Sequence, residues 1–72
     1  MKHFITSDPN ILGGKPVIYG TRIPVDQILF LLKNGFTIEA IHEEYPQLNR
    51  ETIAGTVDEA AELLNKHASQ IL

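Results

Sequence analysis

The chain has 72 residues, nine acidic and six basic side chains, a formal net charge of −3 and no cysteine. A chain of this length forms one domain, residues 1–72, and buries only about 60% of its unfolded surface, so its core alone is marginal. Without cysteine no disulfide can stabilise it, and three scattered histidines do not make a structural zinc site. We therefore expect oligomerisation or a partner protein to supply stability.

Neither a membrane segment nor a secretion signal is recognisable in the sequence. No apolar run reaches the about 20 residues of a membrane helix, and residues 1–4 lack the long apolar stretch of a signal peptide. With 43% hydrophobic and 21% charged residues, the composition is that of an ordinary globular protein. These features predict a soluble, cytoplasmic protein without membrane contact.

The charge is distributed unevenly along the chain. Residues 1–35 contain four basic and two acidic side chains, which gives +2, whereas residues 36–72 contain two basic and seven acidic ones, which gives −5. A polyanion would therefore meet the first half and be repelled by the second. Lys15 and Arg22 are the candidates for contact with nucleic acid or an acidic partner, because turns hold them firmly. The alternative is that they only make the surface soluble.

The first 24 residues are predicted to form an arm of turns and short strands. Residues 4–6 and 17–19 are β-prone, and the glycines and prolines around them are typical of tight turns. A two-residue loop at Gly20-Thr21, of type II′, would pair residues 17–19 with the two residues that follow it. An isolated hairpin is marginal in water, so we expect the arm to pack against helices or a second chain.

From Pro24 onward the hydrophobic period becomes helical, which predicts a helical unit over residues 25–72. The first helix begins at Pro24 and ends at Gly35, a residue suited to the left-handed conformation after a helix. The second helix covers residues 38–45, with Thr37 as its N-cap and a proline directly after it.

The third helix follows Asn49, which is predicted to be its N-cap. Its period predicts an apolar stripe that faces the core and consists of Ile53, Val57, Ala60, Ala61 and Leu64. The opposite face is predicted to be mostly acidic, with Glu51, Gly55, Asp58 and Glu62, flanked by Glu59. This helix therefore presents negative charge to solvent along most of its length.

The second and third helices have the proportions of a helix-turn-helix, in which the second member normally contacts DNA. Acidic side chains oppose phosphates, so most of the third helix is a poor DNA contact. The residues expected to approach base edges lie at its start and are Arg50, Thr52 and Thr56. Of these, Arg50 and Thr52 are the candidate contacts with DNA or with a protein partner.

Residues 28–32 of the first helix are apolar on every side. Phe30 and Leu31 lie off the stripe that faces the core, and a helix that is apolar all round is normally buried all round. Either the N-terminal arm folds back over these two residues, or they lie between two subunits. We favour the second arrangement and predict a two-fold homodimer with Phe30 and Leu31 at its interface.

No residue pattern indicates catalysis, a cofactor or a metal. The Gly-Gly-Lys of residues 13–15 does not form a phosphate-binding loop, because Pro16 stands where that loop needs Ser or Thr. Glu39 and His42 have the i, i+3 spacing used in di-iron bundles, but those sites need several such pairs. We therefore expect no catalytic or metal-binding residue, no cofactor, and a protein that is not an enzyme.

Residues 11–25 resemble the signature of the bacterial family catalogued as domain of unknown function 433, with the sequence Ile-Leu-Gly-Gly-Lys-Pro-Val-Ile-Tyr-Gly-Thr-Arg-Ile-Pro-Val. The resemblance continues upstream at Asp8-Pro9 and downstream through the helix that ends in Gly35, and it covers nearly the whole chain. The matched motif positions are Gly13, Gly14, Lys15, Pro16, Gly20, Thr21, Arg22 and Pro24.

This resemblance implies a mainly α fold, with a three-helix, helix-turn-helix or homeodomain-like unit and a short N-terminal β-ribbon in residues 1–24. Members of the family are often encoded beside a nuclease-like toxin of the PIN type and are regarded as its antitoxins. The resemblance therefore implies the antitoxin of a type II toxin–antitoxin pair, which binds the toxin over its nuclease site. Binding of its own promoter DNA is an expected second role.

Two other functions fit the same residues. The chain would then be a stand-alone DNA-binding transcriptional regulator, or a protein-interaction module without nucleic-acid contact. A short nuclease-like reading frame next to the gene would favour the antitoxin over both alternatives.

Overall fold

Three helices and one small antiparallel sheet make up the part of the chain that this computed structural model describes, which is the backbone of residues 3–71 and the side chains of residues 3–66. In chain order the elements are β1 (Ile5–Thr6), a 3-10 turn (Leu12–Gly14), β2 (Val17–Ile18), α1 (Val25–Lys33), α2 (Ile38–Glu44) and α3 (Arg50–Ile71). The predicted mainly α fold with an N-terminal β-ribbon is thus confirmed.

The helix ends are determined by the residues at those positions. Thr37 Oγ1 accepts a hydrogen bond from the amide of Ala40 at 3.1 Å, and Asn49 Oδ1 accepts one from the amide of Thr52 at 2.7 Å. Each bond satisfies an amide that has no partner within the first turn of the helix. Gly35 follows α1 with φ of 91°, the left-handed conformation that ends a helix without steric strain. These caps confirm the predicted starts of α2 and α3 and the predicted end of α1.

The core lies where the three helices pack against each other and against β2. Its most deeply buried apolar side chains are Val17, Ile18, Ile28, Ile41, Leu48 and Ile53. Leu48, in the turn between α2 and α3, is 2% exposed, and its carbonyl oxygen accepts a hydrogen bond from Nδ1 of His42 at 2.5 Å. This bond ties α2 to the turn, so the helix-turn-helix pair is held together by a buried leucine and by a polar contact.

The turn after β2 is not the predicted type II′ hairpin. The amide of Thr21 donates to the carbonyl oxygen of Ile18 at 2.9 Å, so the two central residues are Tyr19 and Gly20. The positive φ of 79° falls on Gly20, the second of them, which is the type II arrangement. The residues beyond the turn still pair with β2, as predicted, although only through an isolated antiparallel bridge between Val17 and Pro24 and a hydrogen bond of 2.9 Å from the amide of Ile18 to the carbonyl oxygen of Ile23. β2 also pairs with β1, in an antiparallel sheet that the sequence did not predict.

The buried face of α3 differs from the predicted apolar stripe. Thr56 is fully buried beside Ile53 and Ala60. The predicted stripe residues that are half-buried or exposed instead are Val57, Ala61 and Leu64. The Thr56 hydroxyl donates to the carbonyl oxygen of Thr52 at 2.8 Å, which satisfies its polar atom inside the helix and allows a threonine in the core. The expectation that Thr56 approaches base edges is therefore wrong.

The N-terminal strand covers a side of α3 that the sequence assigns to solvent. The ring of Phe4 lies directly over Gly55, where a Cβ would overlap three ring carbons. The amide of Phe4 donates to Oε1 of Glu59 at 2.8 Å, and the Glu59 side chain is 19% exposed. Gly55 and Glu59 therefore face the arm and not solvent. Hydrophobic periodicity could not reveal this contact, because a glycine and a glutamate carry no apolar signal.

Candidate functional site

The three predicted contact cations do not form one cluster. Lys15 Nζ lies 2.8 Å from Oδ2 of Asp26, and Arg50 Nε donates to Oε1 of Glu39. Arg22 is exposed and forms no ion pair with any residue that the structure describes. Of the three cations, Arg22 is therefore the one whose charge no described carboxylate neutralises.

The Arg50–Glu39 pair connects the start of α3 to α2. The hydrogen bond from Arg50 holds the pKa of the Glu39 carboxyl below its usual value, and the same bond raises the pKa of the Arg50 guanidinium. Both side chains are more than half exposed, so water and salt weaken the pair. The guanidinium of Arg50 thus remains accessible to a partner that offers a stronger anion.

The start of α3 offers fewer contacts for DNA than the sequence predicts. Thr56 is buried, Thr52 is half-buried, and Arg50 is exposed but paired. The acidic residues exposed on the outward face of α3 are Glu51, Asp58 and Glu62. Their charge opposes the approach of a phosphate backbone along the helix.

An open apolar groove of about 530 Å³ lies between β1, α1 and α3. Its apolar lining residues are Ile5, Pro16, Val25, Leu29, Ala60, Leu63 and Leu64, and its polar ones are Thr6, Ser7, Lys15, Asp26 and Glu59. Leu63 and Leu64 are 47% and 67% exposed. Large exposed apolar side chains beside a concave surface with a polar rim are typical of a protein-contact site.

A second depression, of about 590 Å³, lies between the turn after β2 and the turn that joins α2 to α3. We call it the Arg22 cleft. Its lining residues are Thr6, Ile11, Gly20, Thr21, Arg22, Ile23 and Gln47. The Arg22 cleft shares only Thr6 with the apolar groove, so the arm separates two different surfaces.

The glycines and prolines of the signature shape the arm. Gly13 and Gly14 belong to the 3-10 turn. The carbonyl oxygen of Pro16 accepts a hydrogen bond from the amide of Val25 at 3.0 Å, which fastens the arm to the start of α1. Pro24 is the N-cap residue of α1, so the helix begins at Val25, one residue later than predicted. These residues thus set the positions of Lys15 and Arg22 and do not themselves carry charge to a partner.

The two residues predicted to lie between subunits have different surroundings. Phe30 is 58% exposed, whereas Leu31 is half-buried and packs against the core of its own chain. Of the two, Phe30 therefore exposes the larger apolar surface.

The described residues contain no group of three or more His, Cys, Asp or Glu side chains that could hold a metal ion. No helix within the described part of the chain is long and apolar enough to cross a membrane.

The sequence did not identify Leu63, Leu64 or Gln47 as surface contacts. The signal for the two leucines is helix length: α3 has 22 residues, whereas α1 and α2 have nine and seven. Apolar residues late in such a helix extend beyond the neighbours that would cover them. Gln47 gives no comparable signal, since only the folded arm brings Arg22 near it.

A sequence profile described as "Protein of unknown function (DUF433)" matches residues 5–60. The "Uncharacterized protein y4eO" of Sinorhizobium fredii (strain NBRC 101917 / NGR234) is 40% identical over 52 residues, which are 72% of this chain. The chain spans only 24% of the length of this curated relative.

A solved structure has the same fold. The crystal structure of a DUF433 member protein from Anabaena variabilis matches this one with a TM-score of 0.77 over 97% of this chain and 69% of that chain. The two are 23% identical, so this likeness establishes the fold alone. The profile match over residues 5–60 establishes the family, as the signature in the arm predicts. The chain belongs to the DUF433 family.

Proposed function

We propose that this chain is the antitoxin of a type II toxin–antitoxin pair and neutralises a PIN-like nuclease toxin by binding it directly. The role is steric and not enzymatic: the antitoxin covers the nuclease site of the toxin in the cytoplasm. The observation that supports a protein partner is the open apolar groove between β1, α1 and α3.

The groove fits an apolar segment of the toxin. Leu63 and Leu64 expose 47% and 67% of their surface at one wall, and burying a leucine fully stabilises a complex by about 1.5–3 kcal/mol. The Lys15–Asp26 ion pair and the Glu59 carboxylate lie at the same groove. They provide polar contacts that orient a bound segment, as in the mixed apolar and polar anatomy of protein interfaces.

The proposed antitoxin acts as a homodimer. Phe30 supports this, because it is 58% exposed on α1 and is not among the lining residues of the groove. A dimer through Phe30 would leave the groove of each subunit free for one toxin molecule.

Promoter binding is a second proposed role and is supported by the helix-turn-helix geometry of α2 and α3. The exposed Arg50 at the start of α3 is the contact that this role would use. The exposed acidic residues on the same helix limit how far DNA can follow it.

The test is co-expression with a PIN-like nuclease from a reading frame next to the gene of this chain, with the affinity tag on the toxin. Leu64→Glu places a charge in the groove, and we expect it to weaken the complex at least about tenfold, or about 1.4 kcal/mol. Ala61→Glu is the matched control, because Ala61 is exposed on the same helix but does not line the groove. We expect this control to bind like the parent.

Both positions are exposed, so we expect both variants to keep the fold. Thermal unfolding of the two variants checks this. Failure of the toxin to retain the unmodified chain would contradict the antitoxin role. Equal affinities for Leu64→Glu and Ala61→Glu would contradict the assignment of the groove.

A further inference from the structure

The Arg22 cleft is bounded by two turns that are far apart in sequence. Arg22 reaches it from the turn after β2, and Gln47 reaches it from the turn between α2 and α3. Thr6 of β1 lies at its edge, and the apolar side chains of Ile11 and Ile23 also line it. The cleft therefore combines one cation and three neutral polar side chains, those of Thr6, Thr21 and Gln47, with apolar surface.

Its charge distinguishes this cleft from the surroundings of the other candidate cations. Lys15 is paired with Asp26, and Arg50 is paired with Glu39. In contrast, none of the described residues that line the cleft is acidic. A guanidinium without a carboxylate partner beside a concave surface produces a local positive potential in a protein whose formal net charge is −3.

The backbone around Arg22 is held in place before any ligand arrives. The Thr21 hydroxyl donates to the carbonyl oxygen of Ile18 at 2.8 Å and accepts from the amide of Ile23 at 3.0 Å. The two bonds fasten the residues on both sides of Arg22, and Pro24 fixes the chain direction directly afterwards. The side-chain rotamers of Arg22 and Gln47 then remain to be ordered on binding, while the backbone around Arg22 adds no further entropic cost.

We propose that Arg22 and Gln47 form a binding site for a carboxylate group of a protein partner. The guanidinium donates two parallel hydrogen bonds to the two carboxylate oxygens, a geometry that a lysine cannot supply. The Gln47 side-chain amide donates a further hydrogen bond to one of these oxygens. The methylene groups of a bound Asp or Glu side chain then rest against Ile11 and Ile23.

A carboxylate fits this cleft better than a DNA phosphate does. One guanidinium neutralises one carboxylate completely, whereas duplex DNA is bound by several cations that each contact a phosphate. No second cation lines the cleft among the described residues. In addition, Glu51, Asp58 and Glu62 are exposed on α3, which starts just beyond Gln47, and they repel a polyanion. A single acidic side chain is repelled much less than a polyanion, because it brings only one negative charge.

The inference rests on the proposed function only in naming the toxin as the source of the carboxylate. The test therefore uses sodium acetate and no toxin, and the full chain is observed by nuclear magnetic resonance at constant ionic strength with chloride as the balancing anion. We expect acetate to shift the Arg22 Nε–H and Gln47 side-chain amide signals together. Arg22→Gln should reduce the apparent affinity for acetate, read from the Gln47 signal, at least about tenfold, because the paired hydrogen bonds are lost.

Lys33→Gln is the control, because it removes one exposed positive charge outside the cleft. We expect it to bind acetate as the parent does.

Inorganic phosphate and a short DNA duplex are titrated in parallel. The absence of an acetate-dependent shift at Gln47, or an equal loss in Lys33→Gln, would overturn the proposal. A duplex that shifts these signals more strongly than acetate would overturn it in favour of nucleic acid. Loss of toxin binding alone would leave the acetate site intact, so the two proposals fail separately.

Discussion

The two halves of α3 share one helical repeat but differ in what covers them. From Arg50 to Ala60 the helix packs against α1, α2 and β1, and Ile53 and Thr56 are fully buried. From Ala61 to Lys66 every side chain is exposed, including Leu64 at 67%. The same kind of apolar residue is therefore core in one half and surface in the other.

The difference shows that helix length limits burial in a small domain. With 22 residues at 1.5 Å each, α3 is about 33 Å long, whereas α1 and α2, with nine and seven residues, are about 14 and 11 Å long. The neighbours cannot cover more than the first turns of α3. The first half consequently stabilises the fold, and the exposed side chains of residues 61–66 are available for a partner.

The largest expected effect is the difference in the free energy of unfolding between two truncations to alanine, one in each half of α3. Ile53→Ala should reduce it by about 2–5 kcal/mol, because a fully buried side chain leaves a cavity. Leu64→Ala should change it by less than about 0.5 kcal/mol, as surface substitutions do. Urea denaturation of both variants provides the measurement.

Similar losses in both variants would show that the second half of α3 is covered in solution. Repeating the denaturation over a range of protein concentrations then tests whether a second copy of the chain covers this half. A concentration dependence of the midpoint that Leu64→Ala weakens indicates that a second copy of the chain covers this half.

A smaller effect is expected where the arm covers the first half of α3. Gly55→Ala gains about 1 kcal/mol of helix propensity, but its Cβ displaces the half-buried Phe4 ring, and full burial of such a ring is worth about 1.5–3 kcal/mol. We expect a net loss of no more than about 1 kcal/mol in the parent chain. In a Phe4→Ala background the ring is absent, and Gly55→Ala should then stabilise the fold by about 1 kcal/mol.

This reversal of sign is the discriminating result, and thermal unfolding of the four proteins in the cycle measures it. If Gly55→Ala has the same effect in both backgrounds, the ring does not lie on α3 in solution.

The smallest effect concerns the exposed pair at the start of α3. The hydrogen bond from Arg50 lowers the pKa of Glu39, so the contribution of the pair is present above the unfolded-state pKa and is lost as pH falls through the folded-state value. In Arg50→Gln the Glu39 pKa should rise to its ordinary range. A carboxyl-carbon magnetic resonance titration measures this shift. The unfolding midpoint of Arg50→Gln at neutral pH should hardly change, because the pair is solvent-exposed. If the Glu39 pKa is the same in Arg50→Gln and in the parent, the two side chains do not pair in solution.

Local sequence rules predicted the helices well, and their failures have a common cause. The caps at Thr37 and Asn49 and the glycine at residue 35 act within one turn, so they can be identified from neighbouring residues. The burial of Thr56 depends on a hydrogen bond to its own helix together with packing from elsewhere. The position of Phe4 depends on a glycine 51 positions later. Contacts between distant residues of this kind leave no periodic pattern.

The candidate site was predicted less completely than the fold. The sequence identified Arg22 and Lys15 as contact cations from the charge of the arm, but it could not separate them. Only the folded chain places Lys15 beside Asp26 and brings Arg22 to the turn that contains Gln47. Net charge by segment therefore indicated a candidate region, while the folded structure shows which of its two cations, Lys15 or Arg22, has a carboxylate partner.

The contact of the Phe4 ring with Gly55 has a consequence for how the family can vary. Because the ring occupies the space of a side chain at position 55, the two positions are not free to change independently. Relatives that carry alanine or a larger residue in place of Gly55 should carry a small residue in place of Phe4. An alignment of such relatives should therefore show covariation between these positions, and that record of paired substitutions would locate the arm on α3 from sequences alone.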